Sequence, residues 1–363
     1  MSKLLTRDEF RDQVLARDKG KCVITGEPAT AAHHIINRKL WDDGGYYLEN
    51  GVALGDESHL AAEKTLISCE ELRAAAGIKT ILLPNHLDPS EKYDCWGNPF
   101  LNKTTRARGE LFFEEQVQKI LSDVLCDFTD KTKYPKTMHM PWSKALQNND
   151  RLIKSFSGLE GEEVIAGLKL DGENTAFARH YNHARSLDSA NHPSRNWVKA
   201  LHGRIKHEIP EDFVIYGENC YAEHAIHYDH LPSYYFVFNI WEKGRRLAWD
   251  DTVEYCKMLG LEHVPVLYRG KWDAKKIQEL CESLDPKSQE GLVVQVTRSI
   301  SAGEFKRCTT KFVRKGHVQP NAQLWMLKPV VPNGLAKSPE EVSFLGRAIN
   351  PPKKTQVLMH GEL

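Results

Sequence analysis

Residues 167–177 read GLKLDGENTAF, with Lys169 two positions before Asp171, Gly172 next, and Asn174 five positions after the lysine. The run that precedes Lys169 is apolar and strand-like. A lysine amine is a nucleophile only when neutral, and burial or nearby positive charge lowers its pKa and frees the lone pair. Gly172 lets the chain turn tightly and approach a ligand, while Asn174 offers both a donor and an acceptor. K-x-D-G-x-N alone leaves two readings open, a buried activated lysine and a polar turn at a strand end.

Later residues add weight to the first. Glu218 ends the apolar run of VIYGENC, 49 residues beyond Lys169, and Glu290 opens the strand-like QEGLVVQV, 72 further on. Lys311, Arg314 and Lys315 follow in TTKFVRKGHV, starting 21 residues after Glu290. Carboxylates of this kind can hold a divalent metal or a ribose, and a basic cluster can hold phosphates. The aromatic run YYFVFNIW offers Phe236 or Phe238 to stack on a base, with a core role as the other reading.

Taken in order, K-x-D-G-x-N, Y-G-E, F-x-F-x-I-W, E-G and K-F-V-R, together with HARSLDS and GENCYAEHAIHYDHLPSYYFVFNIW, make residues 130–327 resemble the covalent nucleotidyltransferases. Among them the wording is most similar to ATP-dependent RNA ligases of the bacteriophage RNA ligase 2 type. The resemblance implies that Lys169 attacks the α-phosphorus of ATP, releasing pyrophosphate and forming lysyl-AMP. The AMP then passes to a 5′-phosphate end, which a 3′-OH attacks to seal the strand. It further implies a nucleotide site made of Lys169, Asp171, Gly172, Asn174, Arg185, Glu218, Phe238, Glu290, Lys311 and Arg314. Within it, Arg185 would contact phosphate, Glu218 would hold ribose or metal, Phe238 would stack on adenine, Glu290 would face the metal, and Lys311 would contact the α-phosphate. The implied cofactors are ATP with Mg2+ or Mn2+, and the implied partner is RNA or an RNA/DNA duplex with nicks. The family often carries K-x-K in its last motif; here Val313 takes the second position, with Arg314 or Lys315 to stand in. Only 52 residues follow Lys311, so recognition of RNA ends is expected from the N-terminal domain.

A second cluster lies near the N-terminus. AAHHIINRK, then YYLENGVALGDESHLAAEK, resembles the HNH (ββα-metal) nuclease motif over residues 18–65. The resemblance implies His33 and His59 as ligands of a divalent metal, Asp56 as a further ligand or a helix cap, His34 as general base and Asn50 as the residue that orients the His34 loop. Only Cys22 remains of the cysteine pairs that bind structural zinc in many such modules, so no structural zinc is expected. A decayed module that serves as a nucleic-acid platform is the alternative.

These residues need elements to carry them. The chain has 363 residues, 41% hydrophobic and 27% charged, with zero formal net charge and eight scattered cysteines. This composition suits a soluble two-domain protein with reduced thiols, expected to be cytoplasmic with no membrane partner. The start, MSKLLTRDEFRDQV, is charged too early for a signal peptide. The expected boundaries are 1–126 for the HNH-like domain with flanking helices, 127–150 for a polar, proline-bearing linker, 151–330 for the ligase-type nucleotidyltransferase domain and 331–363 for a loose tail. The expected fold class is α+β, a ββα-metal domain followed by an ATP-grasp-like domain of largely antiparallel sheets. Thr6 and Glu9 have the spacing of a capping box, Asp56 or Ser58 is placed near a helix N-cap, and Phe113, Val117, Ile120, Leu121 and Val124 form a helical stripe. Strands are expected in EEVIAGLKL, DFVIYGEN, SYYFVFNIW, GLVVQVT and TTKFVRK, and helices in DTVEYCKMLG and DAKKIQELCESL. His139, His224, His227 and His317 read as surface or satisfied core groups. Two other functional classes compete with the ligase: an HNH nuclease whose ligase-like half mainly binds nucleic acid, and a DNA ligase or capping-type nucleotidyltransferase.

Overall fold

The computed structural model describes residues 2–146, 150–187, 191–314 and 329–337, so Lys315 and His317 lie outside the described residues. The chain forms two compact units, one of residues 1–136 with 185–189 and 301–303, the other of 137–184, 190–300 and 304–363.

In the first unit, α1 (Arg7–Arg17) starts at the expected capping box. Thr6 Oγ1 accepts from Glu9 N at 3.2 Å, and the Glu9 carboxylate accepts from Thr6 N at 2.8 Å. Strand β1 (Ala31–His34) pairs antiparallel with β2 (Gly51–Leu54), and α2 (Asp56–Glu63) follows at once. Phe10 and Val14 of α1 are buried with Ala53 of β2. Helices α3 (Cys69–Ala75) and α4 (Glu115–Ile120) enclose a core that includes Ile35, Leu40, Leu54, Leu72, Trp96 and Phe112. Two expectations are corrected. The N-cap of α2 is Gly55, and Asp56 lies inside the first turn. The stripe from 113 to 124 is not one helix: Glu114 is extended (φ −73°, ψ 129°), which resets the helical phase and leaves α4 between two 3-10 turns.

The second unit is built on two sheets. In the five-stranded sheet, β4 (Glu163–Lys169) lies between β11 (Val266–Lys271) and β12 (Gly291–Val296), followed by β14 (Thr309–Val313) and β3 (Met138–His139). The seven-stranded sheet runs β13 (Ile300–Ser301), β9 (Arg245–Arg246), β8 (Tyr235–Glu242), β7 (Phe213–Asn219), β5 (Glu173–Ala178), β6 (Asn182–Ala184), with β10 (Glu262–His263) also on β8. Pairing is antiparallel for β4 with β11 and β12, β12 with β14, β5 with β6 and β7, β7 with β8 and β8 with β9, and parallel for β3 on β14 and β10 on β8. Helices α5 (Asn196–Ile205) and α6 (Trp249–Leu259) bury apolar faces with Phe213, Tyr235 and Val237, while α7 (Ala274–Glu282) and the short α8 (Phe305–Cys308) complete the unit. A buried polar knot ties the sheets. Arg246, 1% exposed, donates to Gln295 Oε1 at 2.9 Å and to the carbonyls of Val296 and Arg298, and Asn239 Nδ2 donates to the same Gln295 oxygen at 2.7 Å. A buried guanidinium is tolerated only when its donors are satisfied in this way.

Described parts of the expected linker and tail are structured, while the last stretch, NPPKKTQVLMHGEL, lies outside the described residues. Met138 and His139 of the expected linker pair with Thr310 and Lys311, because Met138 and Met140 bury their side chains. In the expected tail, Asn333 is 2% exposed; its Oδ1 accepts from Tyr228 N and its Nδ2 donates to Cys220 O. Among the described residues no helix is long and apolar enough to cross a membrane.

At the start of β12 the fold needs a glycine: a Cβ on Gly291 would lie 2.0 Å from Phe312 O. Gly291→Ala is therefore expected to destabilise the protein by about 1–3 kcal/mol, the usual scale of overpacking. The denaturant midpoint checks this; an unchanged midpoint would show that β14 can yield.

Candidate active site

Lys169 is the last residue of β4, and four residues later Glu173 opens β5 in the other sheet, so LDG carries the chain between sheets. Register then sets the neighbours. Gly291 pairs with Lys169 across β12–β4, which puts Glu290 beside the lysine; Asn174 pairs with Glu218 across β5–β7. Lys169 Nζ donates to Glu290 Oε2 at 2.5 Å. Gly172 permits the close approach of β7, since a Cβ there would lie 2.5 Å from Asn219 O, and its backbone amide acts to lower the pKa of the Glu218 carboxyl. Asp171 is turned to structure: its Oδ2 accepts from Ala225 N at 2.7 Å and Ile226 N at 2.8 Å, and its own N–H donates to Tyr228 Oη. It anchors the loop after β7.

The charge state of Lys169 differs from the expectation. Burial disfavours the ammonium, but Glu290, Glu218 and Asp171 outweigh it, and the pKa is raised. A neutral amine was expected because sequence shows burial but not the acids that converge on it. Glu218 bears the opposite consequence. Burial pushes its carboxyl up to about 8, with Glu290 and Asp171 adding to the rise against the pull of Lys169.

Other expected residues fall as follows. Lys311 on β14 is half-buried and pairs in register with Val293 and His139. Arg314, just past β14, donates from Nε to Gln289 O at 2.8 Å and from its backbone N–H to Glu290 O at 3.2 Å, which brings it to the Lys169 cluster. Val313 is buried, so it packs where the family often has a second lysine. Phe238 on β8 keeps exposed surface, whereas Phe236 is 1% exposed, which favours Phe238 as the stacking ring. Arg185, exposed just past β6, falls in residues 185–189 of the first unit. Sequence reasoning missed His139 and His224: Lys169 acts electrostatically on both, and Lys311 also on His139. His139 stands in no quoted motif and His224 in a family-like stretch without an assigned role, and only the fold brings them to the lysine.

In the first unit, His33 and His59 meet edge to face with ring centroids 4.7 Å apart. His34, next on β1, stacks on Phe10 at 4.5 Å and meets the edge of Tyr46 at 5.1 Å. Asn50 is 1% exposed and closes the 36–50 loop: its Nδ2 donates to Ile36 O and Gly45 O, and its Oδ1 accepts from Ile36 N. Burial, helped by the charges of His59 and His34, lowers His33 to about 3; burial, helped by Arg38, lowers His34 to about 4. Both rings are neutral at pH 7, and the Nε2 of each is buried without a hydrogen-bond partner. Orphaned imidazole nitrogens of this kind suit a metal or another ligand. Asp56 is exposed, and its Oδ1 accepts from Thr30 Oγ1 at 2.6 Å. Among the described residues no three or more His, Cys, Asp or Glu side chains form a group able to hold a metal.

With this geometry in place, residues 162–313 match the RNA ligase family. That span contains Lys169, Glu218, Glu290 and Lys311. No curated protein matches the chain. Among solved structures, an archaeal ATP-dependent RNA ligase is 16% identical over 51% of this chain and 48% of its own, with a TM-score of 0.37. A chain designated an ATP-dependent DNA ligase from Aquifex aeolicus is 18% identical over 51% and 50%, with a TM-score of 0.34. A Naegleria gruberi RNA ligase with PPi is 13% identical over 83% and 77%, with a TM-score of 0.33. The chain thus spans about half the length of the first two.

The raised Glu218 carboxyl has a measurable consequence. The folded state holds this proton more tightly than the unfolded chain, so its contribution to stability falls as pH rises from 4.5 toward about 8. With chelator present and no nucleotide, Glu218→Gln is expected to flatten the decline of melting temperature between about pH 5 and 8.5. Parallel curves for parent and variant would refute the assignment.

Proposed function

We propose that the chain is an ATP-dependent RNA ligase that joins 3′-OH and 5′-phosphate ends, at nicks in a duplex, through a lysyl-AMP at Lys169. The observation that carries this is the half-buried Lys169, 2.5 Å from Glu290 with Glu218 beside it, inside a span matched by the RNA ligase family. Lys169 loses a proton to Glu290 or to solvent, its Nζ bonds to the α-phosphorus of ATP, and the bond to the pyrophosphate oxygen breaks. The 5′-phosphate of the strand then displaces the lysine nitrogen, giving an adenylylated end. Attack by the 3′-OH forms the phosphodiester and releases AMP. Such in-line transfer relies on positioning and charge neutralisation more than on covalent help. Lys311 and Arg314 supply positive charge for the phosphates, Phe238 a stacking face, and Asn174 a polar contact. Glu218 and Glu290 are a fitting donor set for Mg2+ or Mn2+, which take oxygen ligands and often need only one or two carboxylates beside substrate phosphates. Bound there, such an ion would supply charge neutralisation at the reacting phosphate.

We also infer that the first unit is an HNH-type module. The β1–β2–α2 order, the Asn50-braced loop and the orphaned His33 and His34 nitrogens favour it. His33 and His59 would hold a divalent ion, and His34 would act on water. Sequence-tolerant nucleic-acid binding without cleavage is the competing role of this unit.

Incubation with labelled ATP and magnesium is expected to give a covalent AMP adduct that Lys169→Ala abolishes. An adduct with GTP but not ATP would point to a capping-type enzyme, and none with either nucleotide would leave a nucleic-acid-binding half. Sealing of nicked duplexes that differ only in ribose or deoxyribose at each side separates RNA from DNA ligation. For the first unit, His34→Ala is expected to lower metal-dependent cleavage of RNA or DNA by about 100-fold or more, the scale of a lost general base; equal background cutting by parent and variant would leave the platform role.

A further inference from the structure

The stretch before β4 carries a chain of polar groups that ends on Lys311. Val313 N donates to Ser143 Oγ at 3.0 Å, and Ser143 Oγ lies 2.8 Å from His139 Nδ1. His139 is 1% exposed, and its Nε2 faces Asp150 Oδ1 at 3.2 Å. The same Asp150 oxygen is 3.8 Å from Lys311 Nζ, with both side chains only about one-fifth exposed. Ser143 Oγ also lies 3.4 Å from Val313 O. With the His139 proton on Nε2, toward the carboxylate, Nδ1 is the acceptor and the Ser143 hydroxyl its donor. The backbone holds both ends, because His139 and Lys311 are partners across β3–β14. The buried imidazole, held through Nδ1 by Ser143, lies against the carboxylate that reaches the lysine.

We propose that Asp150, oriented by His139 and Ser143, is a positioning residue that holds the Lys311 ammonium in place for transfer of AMP to Lys169. The idea rests on the ligase reading above. The chemistry needs Lys311 near a triphosphate, and a flexible four-carbon side chain loses rate when its charge is not pre-placed. His139 senses the charges of both Lys311 and Lys169, which puts the relay in the neighbourhood of the nucleophile. Asp150 would release Lys311 to the phosphates as they arrive, while its tie to His139 persists. No covalent step is assigned to any member of the relay.

The test is single-turnover adduct formation over a range of ATP concentrations, with the full chain. Asp150→Asn is expected to lower the maximal rate about 10- to 100-fold, the cost of slight misplacement. The half-saturating ATP concentration should stay within about two-fold, because placement rather than ground-state binding is lost. Asp150→Glu should recover part of the rate, and His139→Gln should fall in the same direction as Asp150→Asn. Melting curves accompany every variant; if His139→Gln does not fold, the pair at Asp150, which is the more exposed site, decides alone. An unchanged maximal rate in Asp150→Asn, a change confined to half-saturation, or a loss that simply follows melting temperature would overturn the inference. A parent that forms no adduct overturns the ligase reading itself, whereas a parent adduct with normal variants overturns only the role of Asp150.

Discussion

The pair between Lys169 and Glu290, with Glu218 and Asp171 close by, sets the terms for the rest of the second unit. One ammonium faces three acids in a space from which water is largely removed. Each acid is accommodated differently. Asp171 is neutralised by backbone N–H groups of the loop it anchors, Glu290 by the lysine, and Glu218 by keeping a proton well above the usual carboxylate range. Backbone geometry enforces this crowding. Gly291 on β12 and Gly172 in the turn between the sheets stand where a methyl group would strike a carbonyl of the adjoining strand, β14 and β7 respectively, so backbone packs close on either side of the acids and the amine.

That arrangement bears on reactivity. An amine poised as a neutral nucleophile would be exposed to any electrophile; Lys169 at rest is an ammonium. Its lone pair becomes available only when the surrounding negative charge is drawn off or outweighed. On the ligase reading, the incoming nucleotide and its ion change that balance, so activation is tied to arrival of the correct ligand. The resting lysine is therefore held by the same carboxylates that suit it to react later.

Much of this scaffold was legible in the sequence, and the reasons differ by element. β4, β7, β8, β12 and β14 were evident because each is a run of β-branched and aromatic residues bounded by turn signals. The Thr6–Glu9 cap was evident because both partners are local. β5 was not, since ENTAFA begins with polar residues whose strand character comes from pairing with β7. α5 also escaped, because its apolar residues follow a histidine- and proline-rich loop that reads as a turn. Within the site, the identities of Lys169, Glu218, Glu290 and Lys311 followed from motif order. The sign of the lysine shift did not, because Glu290 lies 121 residues away and its 2.5 Å contact exists only in the fold. The relay through His139 was invisible for the same reason, as its link to Lys311 is a strand pairing across the whole second unit.

The histidines of the first unit sharpen the point about charge. His33 and Lys169 are both bases removed from water, and burial favours the neutral form of each. For His33 the nearest charged influences are other imidazoles, so burial and neighbours act together and the ring stays neutral, with Nε2 buried and unpartnered. For Lys169 the neighbours are carboxylates, and they reverse what burial alone would do. Depth of burial is therefore a poor guide to whether a buried base is ready to bind a cation or must first be relieved of a proton. The charges that register and loop geometry bring beside it decide, and these two bases, placed by the same kind of antiparallel pairing, arrive at opposite resting states.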